Sequence, residues 1–295
     1  MKVRKLAYSL GAEVTDLDLR KPQSDAVINE IREAWLEHLV LCFPRQDLSP
    51  NELVAFTARF GKLDDDRAGS LWNLPDHPKV NIIANKPVEI GAKTIVPVIA
   101  DKWHTDLSFA LRPSSATWLN AKQLPPIGGD TMFASMYAAY DALSPSMQGF
   151  IGGLEGMHDV SMSPDWGRYT PEIQARRRGT HPPVVHPVVR THPESGRKGI
   201  FAGGFLRKLI GFTEQESRPI IDLLNTHATD YQFVYRHKWS KDDLLMWDNR
   251  CTMHNAVQDY DRTQLRLLNR ATLLAEKSGR YYEAENASSA PASMS

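Results

Sequence analysis

The 295-residue chain carries 35 Lys+Arg against 35 Asp+Glu and is 42% apolar, an ordinary globular composition with enough apolar material for a sizeable core. Balanced charge excludes a global field that would draw the protein to nucleic acid or to an anionic membrane, so any charged partner must be met locally. The two cysteines, Cys42 and Cys251, sit in apolar runs where a thiol behaves as a small hydrophobe, and no disulfide framework is expected. The N-terminus starts basic but develops no apolar core, and no apolar run reaches the roughly 18 residues that a membrane span needs, so a cytoplasmic protein is expected.

Taken in chain order, Ser24 caps a helix running to about Leu39, because Val27, Ile28, Ile31, Trp35 and Leu39 recur at helical spacing. That helix is expected to cover a sheet. Ser49-Pro50-Asn51-Glu52 is a capping box with proline at the first helical position, and Gly61 follows Phe60 as a stop, which predicts a short helix over 50–60. Residues 135–154 read as two short helices broken at Ser144-Pro145. Thr213-Glu214-Gln215-Glu216 is a second capping box and opens a helix through Ile220, Ile221 and Leu224 to about His227. Between the helices lie β-type runs at 79–83, 116–119, 131–134, 184–191, 199–202, 232–235, 244–248 and 266–274, separated by Pro and Gly turns.

Many short strands with a few covering helices predict a mainly β (α+β) fold, a double-sheet jelly roll rather than a βαβ array. No Gly-rich phosphate loop follows any strand, so a Rossmann or P-loop reading has no support. The tail from about Glu276 lacks the apolar residues needed to order it. Residues 1–275 are therefore read as a single domain and 276–295 as a disordered tail.

Trp103-His104-Thr105-Asp106 places an imidazole and a carboxylate two residues apart, on the same face of an extended chain, where both could bind one ion. The segment 244–254, a strand followed by a turn, presents His254 as a third candidate ligand. Two histidines and one carboxylate on one face of an ion leave three positions open, which non-haem Fe(II) oxygenases need for a bidentate 2-oxo acid and O2. Zinc would usually take a tetrahedral set instead. A His-x-Asp triplet arises often by chance, however, and the chain has ten histidines. His186 and His192, each followed by proline, look like turn residues, and His227 lies near a helix end where an imidazole can satisfy terminal carbonyls. His158, His181 and His237 fit a surface or a hydrogen-bonded core, and spacing alone does not select His254.

Arg266 and Arg270 lie in a β-type run whose even spacing sends both guanidiniums to one face, roughly 13 Å apart. Either they form two anion sites along one channel or they belong to a solvated strand face. Guanidinium grips carboxylate or sulfonate in bidentate fashion, which suits both a dicarboxylate cosubstrate and an acidic substrate.

At these residues the chain resembles the family of taurine dioxygenase and 2,4-dichlorophenoxyacetate dioxygenase, Fe(II)/2-oxoglutarate enzymes on a double-stranded β-helix core. The likeness runs from about residue 8 to 275. It takes in Gly11-Ala12-Glu13-Val14, Arg59-Phe60-Gly61, the His104 and Asp106 motif, Gly128-Gly129-Asp130-Thr131, residues 190–198, Trp247-Asp248-Asn249-Arg250 through His254, and Arg266 with Arg270. The resemblance implies that His104, Asp106 and His254 are iron ligands, that Thr131 and Arg266 bind the distal carboxylate of 2-oxoglutarate, and that Arg270 holds the substrate's anionic group. It implies hydroxylation of a small anionic organic substrate with Fe(II), 2-oxoglutarate and O2, releasing succinate and CO2, and a homo-oligomeric assembly.

Taurine-type members carry histidines just after the Phe-Gly helix end and a polar residue shortly before His-Thr-Asp, where this chain has Lys62-Leu63-Asp64-Asp65-Asp66 and Ile99-Ala100. Residues 233–239, 250–254 and 135–145 look instead like the aryloxyalkanoate branch. The expected substrate is therefore an aryloxyalkanoic acid cleaved to a phenol and an oxo acid, with a sulfonate or alkyl sulfate as the alternative for the same chemistry. A non-catalytic metal-binding β-barrel and a zinc hydrolase are the alternatives of other classes. The interval from His254 to Arg266 is one residue longer than usual in the family, and a longer loop at 261–264 is expected to absorb it. Residues 67–100 and 160–180 read as loops bordering the proposed ligands and are expected to form lids. Within them Trp166 and Tyr169 are packing residues by default, with substrate contact as the alternative.

Overall fold

The computed structural model describes residues 1–64, 72–95, 97 and 100–283. The chain opens with strands β1 (Lys2–Lys5) and β2 (Ala12–Thr15), helix α1 (Asp25–His38), strand β3 (Val40–Phe43) and helix α2 (Pro50–Thr57). Strands β4 (Asn73–Leu74), β5 (His77–Ala84), β6 (Val88–Ile90) and β7 (Lys93–Ile95) follow, then β8 (Ser114–Gln123) and β9 (Thr131–Ser135), which runs into α3 (Met136–Asp141) and α4 (Pro145–Ile151). Next come β10 (Glu155–His158), α5 (Pro171–Thr180), β11 (Val184–Pro187), β12 (Val189–Thr191), β13 (Lys198–Ile200), β14 (Leu206–Leu209) and α6 (Glu214–Ala228). The chain closes with β15 (Val234–His237), β16 (Leu244–Asp248), β17 (Thr252–Ala256), β18 (Leu267–Leu274) and β19 (Arg280–Tyr281).

Each helix begins where a hydroxyl can take over an orphan backbone N–H. Ser24, Ser49, Ser135, Ser144, Thr170 and Thr213 all accept from the N3 amide, and the two capping boxes form at Ser49/Glu52 and Thr213/Glu216. Helix α2 stops at Thr57, short of Gly61, and the break between α3 and α4 falls at Ser144-Pro145 as expected.

Eight strands form the main sheet in the order β1-β2-β3-β16-β8-β18-β5-β4, and a three-stranded sheet has the order β15-β9-β17. Alternation along the central strands divides their side chains between two cores. Ala116, Trp118, Leu244, Met246, Ala271 and Leu273 pack in one cluster with Ile28, Ile31 and Trp35 of α1 and Leu53 and Phe56 of α2. Leu119, Ala121, Leu245, Trp247 and Leu268, from the other face, join Phe133 of β9 and Trp239. Helices therefore cover one face of the main sheet while the three-stranded sheet packs on the other. The functional side chains project between the sheets.

Several expectations needed correction. The sequence pattern marks none of β1–β4, β6, β7, β10, β14, β17 and β19, and His254, expected in a turn, stands on β17. Val40–Phe43 is buried throughout and so lacks the alternation that marks a half-exposed strand, and β2 and β3 pair in parallel across the whole of α1. Residues 160–180 are not a loop, since they hold two 3-10 turns and the ten-residue helix α5, which buries no side chain and so gives no apolar period. The run 184–191 divides into β11 and β12, which belong to different sheets, and the run 232–235 begins as a 3-10 turn at Tyr231–Phe233 before entering β15. The ordered chain also continues past 275, because Arg280–Tyr281 pairs with β11. Residues 284–295 lie outside the described residues. Both cysteines are free and buried. Among the described residues no helix is long and apolar enough to cross a membrane.

Candidate active site

His104 and His254 meet across an isolated antiparallel bridge. Their backbones exchange two hydrogen bonds, His104 N to His254 O at 3.0 Å and His254 N to His104 O at 2.8 Å. This pairing brings the ring centroids to 4.2 Å. Asp106 reaches the same point: its Oδ1 lies 3.9 Å from His104 Nε2 and 4.0 Å from His254 Nε2. Immediately afterwards the chain turns at Leu107, which takes a left-handed conformation with φ 58°.

Each donor is oriented from behind. His104 Nδ1 sits 2.7 Å from the Lys102 carbonyl, so that nitrogen carries the proton and Nε2 presents its lone pair. Asp106 Oδ2 accepts from Thr117 Oγ1 at 2.7 Å, and Thr117 in turn accepts from Asn249 Nδ2 at 2.9 Å. Asn249 Oδ1 receives the Asp106 amide at 3.2 Å and the Trp247 indole at 3.0 Å. The ring of His254 packs against Trp247 and Phe133 at centroid distances of 4.8 and 6.1 Å.

Asp106 and His254 are 8% and 7% exposed, so neither charge nor lone pair can be satisfied by bulk water. Burial opposes ionisation of Asp106, but His254, Arg270, His104 and the Thr117 hydroxyl together hold its carboxyl well below the usual carboxylate range. Burial and the neighbouring His104 push the His254 imidazole down to about 3 against the pull of Asp106. Among the described residues, Asp106 Oδ1 receives no hydrogen bond, and His254 Nδ1 is buried without a partner. An ionised carboxylate beside two imidazoles, all their facing atoms within 4.8 Å of one another, fits a divalent cation of borderline or hard character.

The competing histidines are engaged elsewhere. His192, at the tip of the β12–β13 hairpin, is buried and donates to Asp248 at 3.1 Å, where Arg250 also binds. His237 faces Asp243 at 3.3 Å. His227 bonds the Ala139 carbonyl near the end of α3. His186 is not a turn residue but a buried member of β11 against the Ala110 carbonyl, and it packs with the buried His158.

Arg266 and Arg270 point with Leu268 to the inner face of the main sheet, and both line the cavity that contains His104, Asp106 and His254. Arg266 Nε donates to the Gly129 carbonyl at 2.9 Å and Nη2 lies 3.4 Å from Thr131 Oγ1. The Trp239 indole also donates to Thr131 Oγ1, at 3.0 Å, so the hydroxyl proton of Thr131 is left to donate elsewhere. Gly129 adopts φ +74°, and a Cβ there would stand 3.2 Å from Arg266 Cδ, so glycine lets the loop lie against this guanidinium. Burial lowers the Arg266 pKa to about 10, which leaves it cationic near neutrality. Among the described residues it has no carboxylate partner. Arg270 Nη1 stands 3.8 Å from Asp106 Oδ1, and its Nη2 approaches Asn81 Oδ1 at 3.5 Å. The segment before Arg266 turns through Asp261 to Gln264, closed by Gln264 N to Asp261 O at 2.9 Å.

The structure thus brings all six sequence-predicted residues, His104, Asp106, His254, Thr131, Arg266 and Arg270, to one cavity. Sequence reasoning missed the Thr117 and Asn249 clamp behind Asp106, the Trp239 prop, and Arg177 on α5. It also missed Gly203, φ +111°, where a Cβ would meet His104 Cα at 3.4 Å. The Gly203-Gly204 pair was the available signal for such a close approach. Tyr169 lines the cavity as the lid expectation allowed, whereas Trp166 packs with Leu107, Phe109 and Val160. Of the expected lid 67–100, Trp72, Ile83 and Ala100 line the cavity, and residues 65–71, 96, 98 and 99 lie outside the described residues.

The family described as taurine catabolism dioxygenase TauD, TfdA matches residues 2–272. The chain is 35% identical over 272 residues to the alpha-ketoglutarate-dependent 2,4-dichlorophenoxyacetate dioxygenase of Cupriavidus pinatubonensis, covering 90% of this chain and 94% of the relative. It is 30% identical to an alkylsulfatase of Acinetobacter baylyi, over 94% and 86% of the two chains. Among solved structures, AAD-2 in complex with Mn(II) and N-oxalylglycine superposes with a TM-score of 0.80 at 32% identity, covering 94% of this chain and 98% of that one. These likenesses set aside both a non-catalytic metal-binding barrel and a zinc hydrolase. With the fold, the buried donor trio and the two inward arginines in place, the chain is a dioxygenase belonging to the taurine catabolism dioxygenase TauD, TfdA family.

Proposed function

We propose that this dioxygenase uses Fe(II), 2-oxoglutarate and O2 to hydroxylate a small anionic organic substrate, an aryloxyalkanoic acid first among them, on a double-stranded β-helix (jelly-roll) core. The observation that carries the reading is the convergence of the His104, Asp106 and His254 donors with two inward guanidiniums in one cavity. A relative of similar architecture holds Mn(II) together with N-oxalylglycine, an isostere of 2-oxoglutarate, which supports a metal and a 2-oxo diacid here.

His104 Nε2, Asp106 Oδ1 and His254 Nε2 would hold the iron. When bound, iron with 2-oxoglutarate supplies the oxidising chemistry, and succinate and CO2 leave as the cosubstrate's products. The chain's own residues supply placement. Arg266 and the free Thr131 proton meet the distal carboxylate of 2-oxoglutarate, a pairing that gives a buried guanidinium a carboxylate in direct contact. Arg270, beside Asp106, anchors the substrate's acid group and so directs the carbon next to its heteroatom toward the donor trio. Hydroxylation of that carbon in an ether gives a product that collapses to a phenol and an oxo acid. Leu107, Leu119 and Phe205 line the cavity with apolar surface that receives an aryl group and keeps water away.

A sulfonate or alkyl sulfate is the second reading, favoured by the likeness to an alkylsulfatase and by the ability of Arg270 to hold any of these anions. The residues that set this chain apart from taurine-type members include Asp65, Asp66 and Ile99, which lie outside the described residues. Anaerobic addition of Fe(II) and 2-oxoglutarate tests the reading through the weak visible charge-transfer band of the chelate. The band is expected to appear and to shift with aryloxyalkanoates. A folded protein that gives no band overturns the cofactor assignment, and a shift with sulfonates or alkyl sulfates alone moves the substrate class.

A further inference from the structure

Away from the two inner arginines, the cavity has a third guanidinium that the chemistry above does not use. Arg177 of α5 lines the cavity together with Trp72 and Tyr169, and its Cζ lies 5.5 Å from the Trp72 ring and 4.9 Å from the Tyr169 ring. Two aromatic contacts satisfy the faces of a guanidinium but leave its in-plane N–H donors unused. Among the described residues Arg177 donates no side-chain hydrogen bond and pairs with no carboxylate, and its Nε is buried without a partner. A planar donor edge, held by rings and open to a cavity, is suited to bidentate contact with an oxyanion.

The charge of the cavity points the same way. Its charged lining among the described residues is Lys102, Arg177, Arg266 and Arg270 against Asp106 and Asp165. Fe(II) and a 2-oxoglutarate dianion would cancel one another, so the described lining residues carry an excess of two positive charges toward a substrate. A monoanion held by Arg270 neutralises half of it.

We infer that Arg177, clasped by Trp72 and Tyr169, forms a second anion subsite, and that the preferred substrate is a dianion with one acid group at Arg270 and another at Arg177. The inference rests on the proposed role of Arg270, and it narrows the substrate class to aryl or alkyl acids that carry a second carboxylate, sulfonate or phosphate.

The test compares phenoxyacetate with its 3-carboxy and 4-carboxy derivatives, binding each to the full chain by tryptophan fluorescence, with and without anaerobic Fe(II) and 2-oxoglutarate. At least one carboxy derivative is expected to bind wild type about 10-fold or more tightly than phenoxyacetate, with a steeper salt dependence. Arg177→Gln should collapse that ratio toward one, and Arg177→Lys should restore part of it. Equal affinities for all three ligands in wild type overturn the subsite, and no variant is needed for that result. An unchanged ratio in folded Arg177→Gln overturns it as well, as does equal weakening of all three ligands, which would make Arg177 a clasp for Trp72 and Tyr169 alone. Failure of the iron and 2-oxoglutarate reading appears separately, as absence of 2-oxoglutarate-dependent succinate with every ligand, while the affinity ratio without metal still reports on Arg177.

Discussion

The floor and the roof of the cavity are built on different physical terms. On the floor, Thr131, His254 and Arg270 stand on strands, Arg266 stands just before β18 and His104 on a backbone bridge to His254, and the side chains are tied to a second layer, as Asp106 is to Thr117 and Arg266 is to Gly129. On the roof, Tyr169 and Arg177 come from the helical segment between β10 and β11 and Trp72 from just before β4, and Arg177 joins the two rings by its contacts with both. The difference teaches where each property resides. On the proposed reading, chemistry that needs atoms placed to within a fraction of an ångström would rest on side chains locked from behind, and selectivity for the remote end of a substrate on elements freer to vary.

The largest expected effect breaks the floor outright. Asp106→Ala should abolish 2-oxoglutarate-dependent succinate formation and Fe(II) binding while leaving the far-ultraviolet circular dichroism intact, and retained turnover would remove Asp106 from the site. Next, Arg266→Ala and Arg270→Ala should separate two anion sites on one strand face. Removing one partner of a buried charge contact costs about 2–5 kcal/mol, so each change should raise one KM by roughly 100-fold. Steady-state kinetics should assign the 2-oxoglutarate effect to Arg266 and the substrate effect to Arg270, and a shared effect would mean a single anion site.

Acid sensitivity reaches beyond His254 on the floor to the buried imidazoles of the frame that supports it. Burial and Arg190 push the His186 imidazole down to about 4, and burial with the neighbouring His186 holds His158 well below its ordinary value. Between about pH 6.5 and pH 4 the unfolded chain takes up protons that these folded imidazoles refuse, so stability falls as pH falls across that window. The loss from His186 alone is on the order of 3 kcal/mol. Urea midpoints measured across the window should show it, and His186→Phe should flatten the profile. A wild-type midpoint independent of pH would contradict the burial argument. The smallest effect sharpens the account of the floor: Thr117→Val, by removing the donor to Asp106 Oδ2, should weaken metal affinity by about 10-fold with little change in either KM. Isothermal titration with Mn(II) measures this, and unaltered affinity would mean that the hold of Asn249 on the Asp106 backbone amide suffices to place the carboxylate.

The same division governs what could be read from the chain. The donors were legible because His104 and Asp106 are two residues apart in extended backbone, and Arg266 and Arg270 are an even number apart on a strand, so local geometry already sends each pair to one face. The helix starts were legible because Ser24, Ser49, Ser144 and Thr213 satisfy orphan amides within their own first turn. Helix α5 escaped because it is polar all round and owes its place to ring contacts of Arg177 and Arg178 rather than to an apolar stripe.

By itself, then, the sequence determined the capped helices other than α5, the positions of about half of the strands and the residue types able to hold a cation and two anions, all through interactions that span a few residues. The tertiary structure decided which histidine completes the trio. That choice depends on a backbone bridge joining His104 to His254, and residues so far apart in the chain are brought together only by the pairing of strands. It also decided that Thr117 and Asn249 stand behind Asp106 and that Arg177 faces the same cavity as Arg270, because burial and the removal of water act on neighbours in space, whatever their separation along the chain.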